Sequence, residues 1–195
     1  MELKEKFDKL NTPEELFEFM KSNLKWGWIS KSGELKKKVE DFVKQYQLST
    51  LEQVLKTGCG TCFEQVELER EFFVRKNIPI QTYIIEANRM AHAFLVFEKN
   101  GLFYKFEHSS PNNRGIFPFD DIVSLLRNEI KHLMIRHKIK NINKLSLISY
   151  NQLPAFSDTQ SIKLLINNSD DIIPTIFTTE ELDNLNSNEK SIHTL

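Results

Sequence analysis

The dipeptide Asn100-Gly101 constrains the fold most, because it lies between two short segments of β type. Residues 91–98 and 102–108 are rich in β-branched and aromatic side chains. Asn-Gly is the preferred sequence of a two-residue hairpin loop, whose backbone needs positive φ angles. Residues 80–86 form a third segment of the same type. The sequence therefore predicts an antiparallel sheet across residues 80–108.

The chain before this sheet is predicted to be helical. Thr12 and Pro13 mark one helix start, and a second helix is predicted over 34–46, where five apolar residues share one face. A capping box at 49–52 predicts a short helix that stops at Gly58. Thr61 and Glu64 form a further capping box, which predicts a helix from residue 62 to about residue 77.

The chain after the sheet is predicted to hold a helix over 120–138 and one more strand over 144–150, followed by a polar tail over 180–195. Helices first and an antiparallel sheet afterwards indicate the α+β class, with a helical N-terminal layer packed on the sheet. We expect residues 1–150 to be one domain and residues 151–195 to be a C-terminal extension whose tail is partly disordered.

Charge and hydropathy exclude several classes of function. Lys plus Arg number 26 and Asp plus Glu number 27, so the net charge of -1 gives no electrostatic reason for a nucleic-acid or anionic-membrane partner. No stretch approaches the length of an apolar membrane span. Two cysteines cannot make a disulfide scaffold. The first ten residues are charged and amphipathic, so we expect a cytoplasmic protein.

Cys62 is the residue with the clearest chemical potential. It is predicted in the first turn of a helix, where unpaired backbone N–H groups and the helix dipole favour a thiolate. The same N–H groups point toward the place where an oxyanion would form beside the sulfur. A nucleophilic cysteine also needs a base, and that base needs a group that orients it.

The hairpin register selects the partners of this cysteine. A two-residue loop at Asn100-Gly101 makes the numbers of paired residues sum to 201, which places Phe94 opposite Glu107. His92 shares a face with Phe94, because side chains alternate along a strand, and Glu107 is then its diagonal neighbour. His108 falls on the opposite face. The register therefore predicts His92 as base and Glu107 as the orienting group.

These segments resemble the transglutaminase-like superfamily, which shares its core with papain-like cysteine proteases. The matching residues are Gly60-Thr61-Cys62-Phe63 at a helix start, His92-Ala93-Phe94-Leu95 at a strand start, and Phe106-Glu107-His108-Ser109 on the next strand. Small bacterial transglutaminase-like proteins are the most similar group. The resemblance covers 49–117 well and 12–150 loosely.

The resemblance implies a transglutaminase-like core in which Cys62 is the nucleophile, His92 the base and Glu107 the orienting residue. It implies acyl transfer on a peptide or protein amide, by hydrolysis or transamidation, with no metal or organic cofactor. Two positions differ from the superfamily, which more often has Asp at the third position and often Trp after the nucleophile. The superfamily also uses an upstream group to bind the oxyanion, and Trp26, Trp28 and Gln53 are its candidates here.

Two other functions stay open on the sequence. Cys59 and Cys62 form a C-x-x-C pair, which is typical of thiol redox proteins and of half a zinc site that His92 and His108 would complete. A non-catalytic binding module with the same fold is the other alternative, and a buried Cys62 without a cleft would mark it. The charged residues between Glu64 and Glu71 are predicted to form a solvated helix face.

Overall fold

The computed structural model describes residues 2–87, 90–111, 113–142 and 145–182, which form a mixed α+β fold. Its helices are α1 (Leu3–Asp8), α2 (Pro13–Asn23), α3 (Phe42–Gln45), α4 (Leu51–Thr57), α5 (Cys62–Arg75), α6 (Ile122–His137), α7 (Thr159–Asn167) and α8 (Ile173–Ile176). Within the described residues, no helix is long and apolar enough to cross a membrane.

The strands form one large sheet and two small ones. They are β1 (Lys25–Trp26), β2 (Trp28–Ser30), β3 (Leu35–Lys36), β4 (Tyr46–Gln47), β5 (Cys59–Gly60), β6 (Ile80–Ala87), β7 (Met90–Lys99), β8 (Leu102–Glu107), β9 (Gly115–Phe119) and β10 (Leu145–Tyr150). The large sheet has the order β10-β6-β7-β8-β9 and all its pairs are antiparallel. The small sheets pair β1 with β5, and β2 with β3 and β4.

The hairpin between β7 and β8 has the predicted register. Lys99 pairs with Leu102 and Leu95 pairs with Phe106, so each pair of numbers sums to 201. Asn100 and Gly101 have φ angles of 55° and 77°, as a two-residue loop of this type requires. Because a slip of one residue would move every side chain to the other face, this loop decides which residues of β8 share a face with His92.

Both faces of the large sheet are covered. One core cluster joins α1, α2, α4 and α5 to residues such as Ala93, Leu95 and Phe97, while a second joins α6 and α8 to Phe94 and Val96. Residues 92–97 are therefore all buried, and β7 has an unbroken apolar run instead of an alternating one. The predicted helical N-terminal layer is present, and α6 adds a second layer on the opposite face.

The predicted helix over 34–46 is wrong. Residues 35–36 pair with β2, and only Phe42–Gln45 forms a short helix, preceded by Asp41 at a φ of 60°. The aromatic rings of Trp28, Phe42 and Tyr46 pack together, and the Trp28 indole N–H donates to the Lys38 carbonyl at 2.8 Å. These contacts hold the segment as an irregular loop, which the apolar spacing alone does not reveal.

Smaller differences occur at other element boundaries. β9 lies in a stretch for which the sequence analysis predicts no element, and it is held by antiparallel pairing with β8. The capping box of α4 is made by Thr50 and Gln53, one residue later than predicted. The predicted strand over 144–150 is present as β10, although residue 144 and most of the predicted tail, 183–195, lie outside the described residues.

Residues 151–182 are attached to the preceding part of the chain at several points. The Leu48 N–H donates to the Ser157 carbonyl at 2.8 Å, and Lys31 pairs with Asp158 at 3.1 Å. The Leu153 N–H donates to a Glu67 carboxylate oxygen at 3.1 Å. α7 joins the core cluster of the N-terminal helices and α8 joins that of α6. This segment therefore contributes to both layers.

Glu67 should make the stability of the protein depend on pH. Burial raises its pKa from 4.5 to about 7, against the hydrogen bond from Leu153 and the charge of Arg70. The folded state thus holds a proton that the unfolded state loses between pH 4.5 and about 7, so this group lowers the free energy of unfolding as pH rises through that window.

We expect Glu67→Gln, which keeps an acceptor oxygen for Leu153, to raise the free energy of unfolding by about 1–3 kcal/mol at about pH 8 and by far less near pH 4.5. Urea unfolding at the two pH values measures the difference, with the exposed Glu98→Gln as the control. Equal differences from the wild type at both pH values would contradict the assignment to Glu67.

Candidate functional site

Cys62 is the first residue of α5, and a dense set of hydrogen bonds fixes this helix start. Thr61 is the N-cap, and its hydroxyl accepts from the Phe63 N–H at 3.3 Å. The buried Glu64 carboxylate accepts from the Thr61 N–H at 2.8 Å, from Ser49 N–H at 3.1 Å and from the Tyr46 hydroxyl at 3.0 Å. The predicted capping box is confirmed. The position of the Cys62 thiol is therefore defined by a rigid helix start.

Gly60 allows the approach to this helix. Strand β5 pairs in parallel with β1, with Gly60 opposite Trp26. A Cβ atom on residue 60 would lie 2.9 Å from the Glu64 Cβ, so any larger residue would push β5 away from α5. The glycine before the cysteine is thus required by the close contact between strand and helix.

His92 and Glu107 form the predicted hydrogen bond. The His92 Nε2 lies 2.8 Å from Glu107 Oε2, and both residues are buried. The second oxygen of Glu107 accepts from the Ser110 N–H at 2.8 Å and from the Ser109 hydroxyl at 3.1 Å. The carboxylate is therefore held from both sides, and it fixes the orientation of the imidazole ring.

The electrostatics of this pair favour an imidazolium beside a carboxylate. Burial works against ionisation of Glu107, yet the His92 charge, the hydrogen bonds and Lys105 together lower its pKa. Burial likewise opposes a charged His92, but Glu107 and a hydrogen bond with Cys62 raise its pKa well above 6.5. Because Nε2 bonds Glu107, Nδ1 is the ring nitrogen left for the thiol. The structure thus brings Cys62, His92 and Glu107 together in a series in which His92 is bonded to Glu107 and lies close enough to the Cys62 thiol for it to affect the pKa of His92.

A buried ion pair lies behind this series. Lys105 lies two residues before Glu107 on β8, and its ammonium contacts the Glu129 carboxylate of α6, with side chains only 2% and 3% exposed. Ligand atoms of His92, Glu107 and Glu129 lie within 4.8 Å of one another, a spacing that suits a metal ion. The ammonium of Lys105 and the raised pKa of His92 already supply positive charge there. These groups therefore favour an ion-pair network over a cation site.

His108 is placed on the opposite face of β8, as the register predicts. Its Nδ1 lies 2.7 Å from the Gln65 side-chain oxygen, and Gln65 donates in turn to the Gly60 carbonyl at 2.9 Å. Burial and the nearby Arg114 lower the pKa of His108 to about 4, so the ring is neutral at physiological pH. His108 thus supports the loop before Cys62 and lies on the face of β8 opposite to Glu107.

The two cysteines have different surroundings. Both are free thiols, but Cys59 is buried while Cys62 is half-buried. The backbone position of Gly27 leaves room for the Cys59 side chain, whose sulfur would lie 3.5 Å from a Cβ at residue 27. Among the described residues, neither cysteine belongs to a group of side chains spaced to hold a metal ion. The zinc site considered from the sequence is therefore not assembled.

Cys62 opens onto a cleft of about 620 Å³. Its walls come from residues 26, 39, 42–43 and 61–63, from residues at the facing ends of β6 and β7, and from α7. Cavities of this size accommodate a small-molecule or peptide ligand. The helix start therefore presents the thiol to an open cleft.

The structure distinguishes the three candidates for an oxyanion donor. The Trp28 indole N–H is already bonded to the Lys38 carbonyl, and Gln53, whose side-chain oxygen accepts from the Thr50 N–H in the α4 cap, is not among the residues that line the cleft. Trp26 is 38% exposed and lines the cleft together with Cys62. Trp26 is thus the candidate that faces the space beside the thiol.

Several residues of this site were missed by the sequence analysis. The charged helix face between Glu64 and Glu71 was predicted to be solvated, but Glu64 and Glu69 are buried. Burial and the nearby Glu107 raise the pKa of Glu69 well above 4.5, and one of its oxygens has no hydrogen-bond partner among the described residues. The ion pair of Lys105 and Glu129 was also missed, because it depends on how α6 packs on the sheet.

Neither a scan against protein-family models nor a search of curated proteins found a match to this chain.

Proposed function

We propose that this protein is a cysteine-dependent acyl-transfer enzyme of the transglutaminase-like type that acts on an amide bond. The observation that carries the proposal is the series of Cys62, His92 and Glu107, in which His92 is bonded to Glu107 and lies near the Cys62 thiol at a helix N-terminus that faces a cleft. A nucleophile, a base and an orienting group in this order are what thiol catalysis needs.

The proposed reaction begins with a thiolate on Cys62 and an imidazolium on His92. The thiolate attacks the amide carbonyl carbon, and the oxyanion is bound by backbone N–H groups at the start of α5, with the Trp26 indole as a further donor. The C–N bond then breaks, and His92 gives its proton to the leaving amine. A thioester on Cys62 remains.

The second half of the reaction regenerates the thiol. Water or a second amine attacks the thioester while His92 accepts the proton of the attacking group, and the C–S bond breaks to release the acid or the new amide. Glu107 holds the imidazole in place and stabilises its charged form throughout. The proposed chemistry uses only these side chains, with no metal or organic cofactor.

The alternatives from the sequence have less support. A binding module with an inert triad would be marked by a buried Cys62 without a cleft, whereas Cys62 lines a cleft. A redox protein would use Cys59 as well, but that thiol is buried. Two free thiols fit a reducing compartment, so the proposal places the enzyme in the cytoplasm.

Alkylation by iodoacetamide tests the proposal without a known substrate. An ordinary thiol, with a pKa of about 8.5, is less than about 1% ionised at pH 6. We expect Cys62 to react at about pH 6 roughly 100-fold faster than such a thiol, because His92 stabilises its ionised form as an ion pair. Mass spectrometry over about pH 5–9 measures the rates at both cysteines, and the buried Cys59 is an internal reference.

Two histidine variants complete this experiment. His92→Ala should reduce the rate at Cys62 to that of an ordinary thiol, while the exposed His132→Ala on α6 should leave it unchanged. If the rate at Cys62 increases only above about pH 8 in all three proteins, no activated pair exists and the catalytic proposal is wrong.

A further inference from the structure

The cleft beside Cys62 has mainly apolar walls. One wall carries Val39, Phe42 and Val43, and the facing wall carries Ile162 and Ile166 of α7. Val39 and Val43 are 71% and 69% exposed, and Trp26 at the same cleft is 38% exposed. Large apolar side chains that remain exposed around one concave site are typical of a surface that a ligand covers.

The charges around this cleft balance each other. The charged side chains that line it are Glu86 on β6 and Lys163 on α7, one of each sign. Such a lining exerts little net electrostatic attraction on either an anion or a cation. The cleft therefore favours an uncharged apolar group, whose burial is stabilising in proportion to the apolar area removed from water.

The position of His92 tells which half of an amide the cleft receives. Cys62 and Trp26 line the cleft, but His92 is not among its lining residues. The leaving amine must lie next to His92, because this residue gives it a proton. A carbonyl attacked by Cys62 therefore has its amine on the His92 side and its acyl group on the side of the cleft.

The wall of the cleft that α7 forms is held in place by contacts of residues 158 and 159. Asp158 pairs with Lys31 at 3.1 Å, and the Thr159 hydroxyl donates to the Val43 carbonyl at 2.6 Å. The second contact joins the start of α7 directly to the wall that carries Val43. The width of the cleft is therefore fixed by residues 151–182, which the sequence analysis assigned no role.

We propose that the substrate of this enzyme is an amide whose acyl half carries a large apolar group, and that this group binds between the Val39–Val43 wall and α7. The inference rests on the proposed function, because it identifies the acyl side by the roles of Cys62 and His92. α7 is then a specificity element of the active site.

Two alkylating reagents of equal chemistry and different size test this assignment. N-(2-phenylethyl)iodoacetamide carries an apolar ring that iodoacetamide lacks, and the intrinsic reactivity of each is measured with N-acetylcysteine. After this correction, we expect the larger reagent to alkylate Cys62 at least about 10-fold faster and with saturation kinetics, since its ring is buried in the cleft.

Two aspartate variants locate the effect. Val43→Asp should lower the ratio of the corrected rates with the larger and the smaller reagent about 10-fold, because a charge there opposes apolar burial. Leu164→Asp is the matched control: Leu164 is an exposed apolar residue of the same α7, 54% accessible and outside the cleft, and its preference should equal that of the wild type.

The outcomes separate this inference from the proposed function. A Cys62 that reacts rapidly at about pH 6 but shows no preference between the reagents overturns the apolar acyl site alone. If Val43→Asp leaves the preference for the larger reagent unchanged, the ring binds elsewhere, and this result also overturns the apolar acyl site. A Cys62 that is unreactive at about pH 6 overturns the proposed function and this inference together.

Discussion

Replacement of Glu107 by glutamine is expected to slow the alkylation of Cys62 at about pH 6 by roughly 10- to 100-fold. The reason is electrostatic. Glu107 stabilises the charged imidazole of His92 against the cost of burial, and it contacts Nε2 at 2.8 Å. A neutral amide of the same shape keeps the volume but not the charge, so the pKa of His92 should fall.

The sign of the pH effect follows from this contact. His92 in the wild type stays protonated well above pH 6.5, so its positive charge is present beside Cys62 across the neutral range. Without the Glu107 charge, His92 loses its proton at lower pH, and the ion pair forms over a narrower window. The pH profile of alkylation in Glu107→Gln should therefore resemble that of an unassisted thiol and rise only toward alkaline pH.

Two further variants make this measurement specific. Glu98→Gln removes a carboxylate from the exposed end of β7 and should leave the profile unchanged. Glu107→Asp restores the charge with a shorter side chain and should recover part of the rate near neutral pH. An unchanged profile in Glu107→Gln would mean that the carboxylate does not act on His92, and the assigned role would be wrong.

The contact between His92 and Glu107 could be predicted from the sequence because it depends on the length of the hairpin loop and on the alternation of side chains along a strand. Asn100-Gly101 sets the loop length, the loop sets the register, and alternation then assigns faces. The start of α5 at Cys62 follows in the same way from the capping box of Thr61 and Glu64. Both arguments use only neighbours in the chain.

Features that depend on packing between distant segments were not predictable in this way. The apolar residues over 34–46 fit a helix, but Trp28 and Tyr46 hold that segment in a loop that lines the cleft. Glu64 looks like a solvated residue in the sequence, yet four backbone or hydroxyl donors from 46–61 surround it. The role of α7 as a wall depends on Thr159 reaching Val43. No local pattern carries this information.

Loss of the buried Lys105 ammonium is expected to have the largest effect on stability. Lys105→Met leaves the Glu129 carboxylate buried without its partner, in a place where its side chain is only 3% exposed. Breaking one half of a buried ion pair costs about 3–5 kcal/mol of the free energy of unfolding. Urea unfolding measures it, and Lys4→Met, which breaks the exposed pair with Asp8, should cost far less.

A double variant separates the effect of this ion pair on stability from its effect on the site at Cys62. Lys105→Met with Glu129→Leu replaces both charges by apolar groups of similar size, and it should recover most of the lost stability. Equal stability in Lys105→Met and Lys4→Met would show that the pair is not buried as described.

The recovered double variant then isolates an electrostatic effect on the site. Lys105 contributes to the low pKa of Glu107, so its removal favours the protonated carboxyl and weakens the hold of Glu107 on His92. We expect the double variant to unfold like the wild type yet to alkylate Cys62 more slowly near neutral pH. If the alkylation rate at Cys62 is fully restored in the double variant, Lys105 and Glu129 stabilise the fold alone. If the rate stays below that of the wild type, they also help to keep His92 protonated.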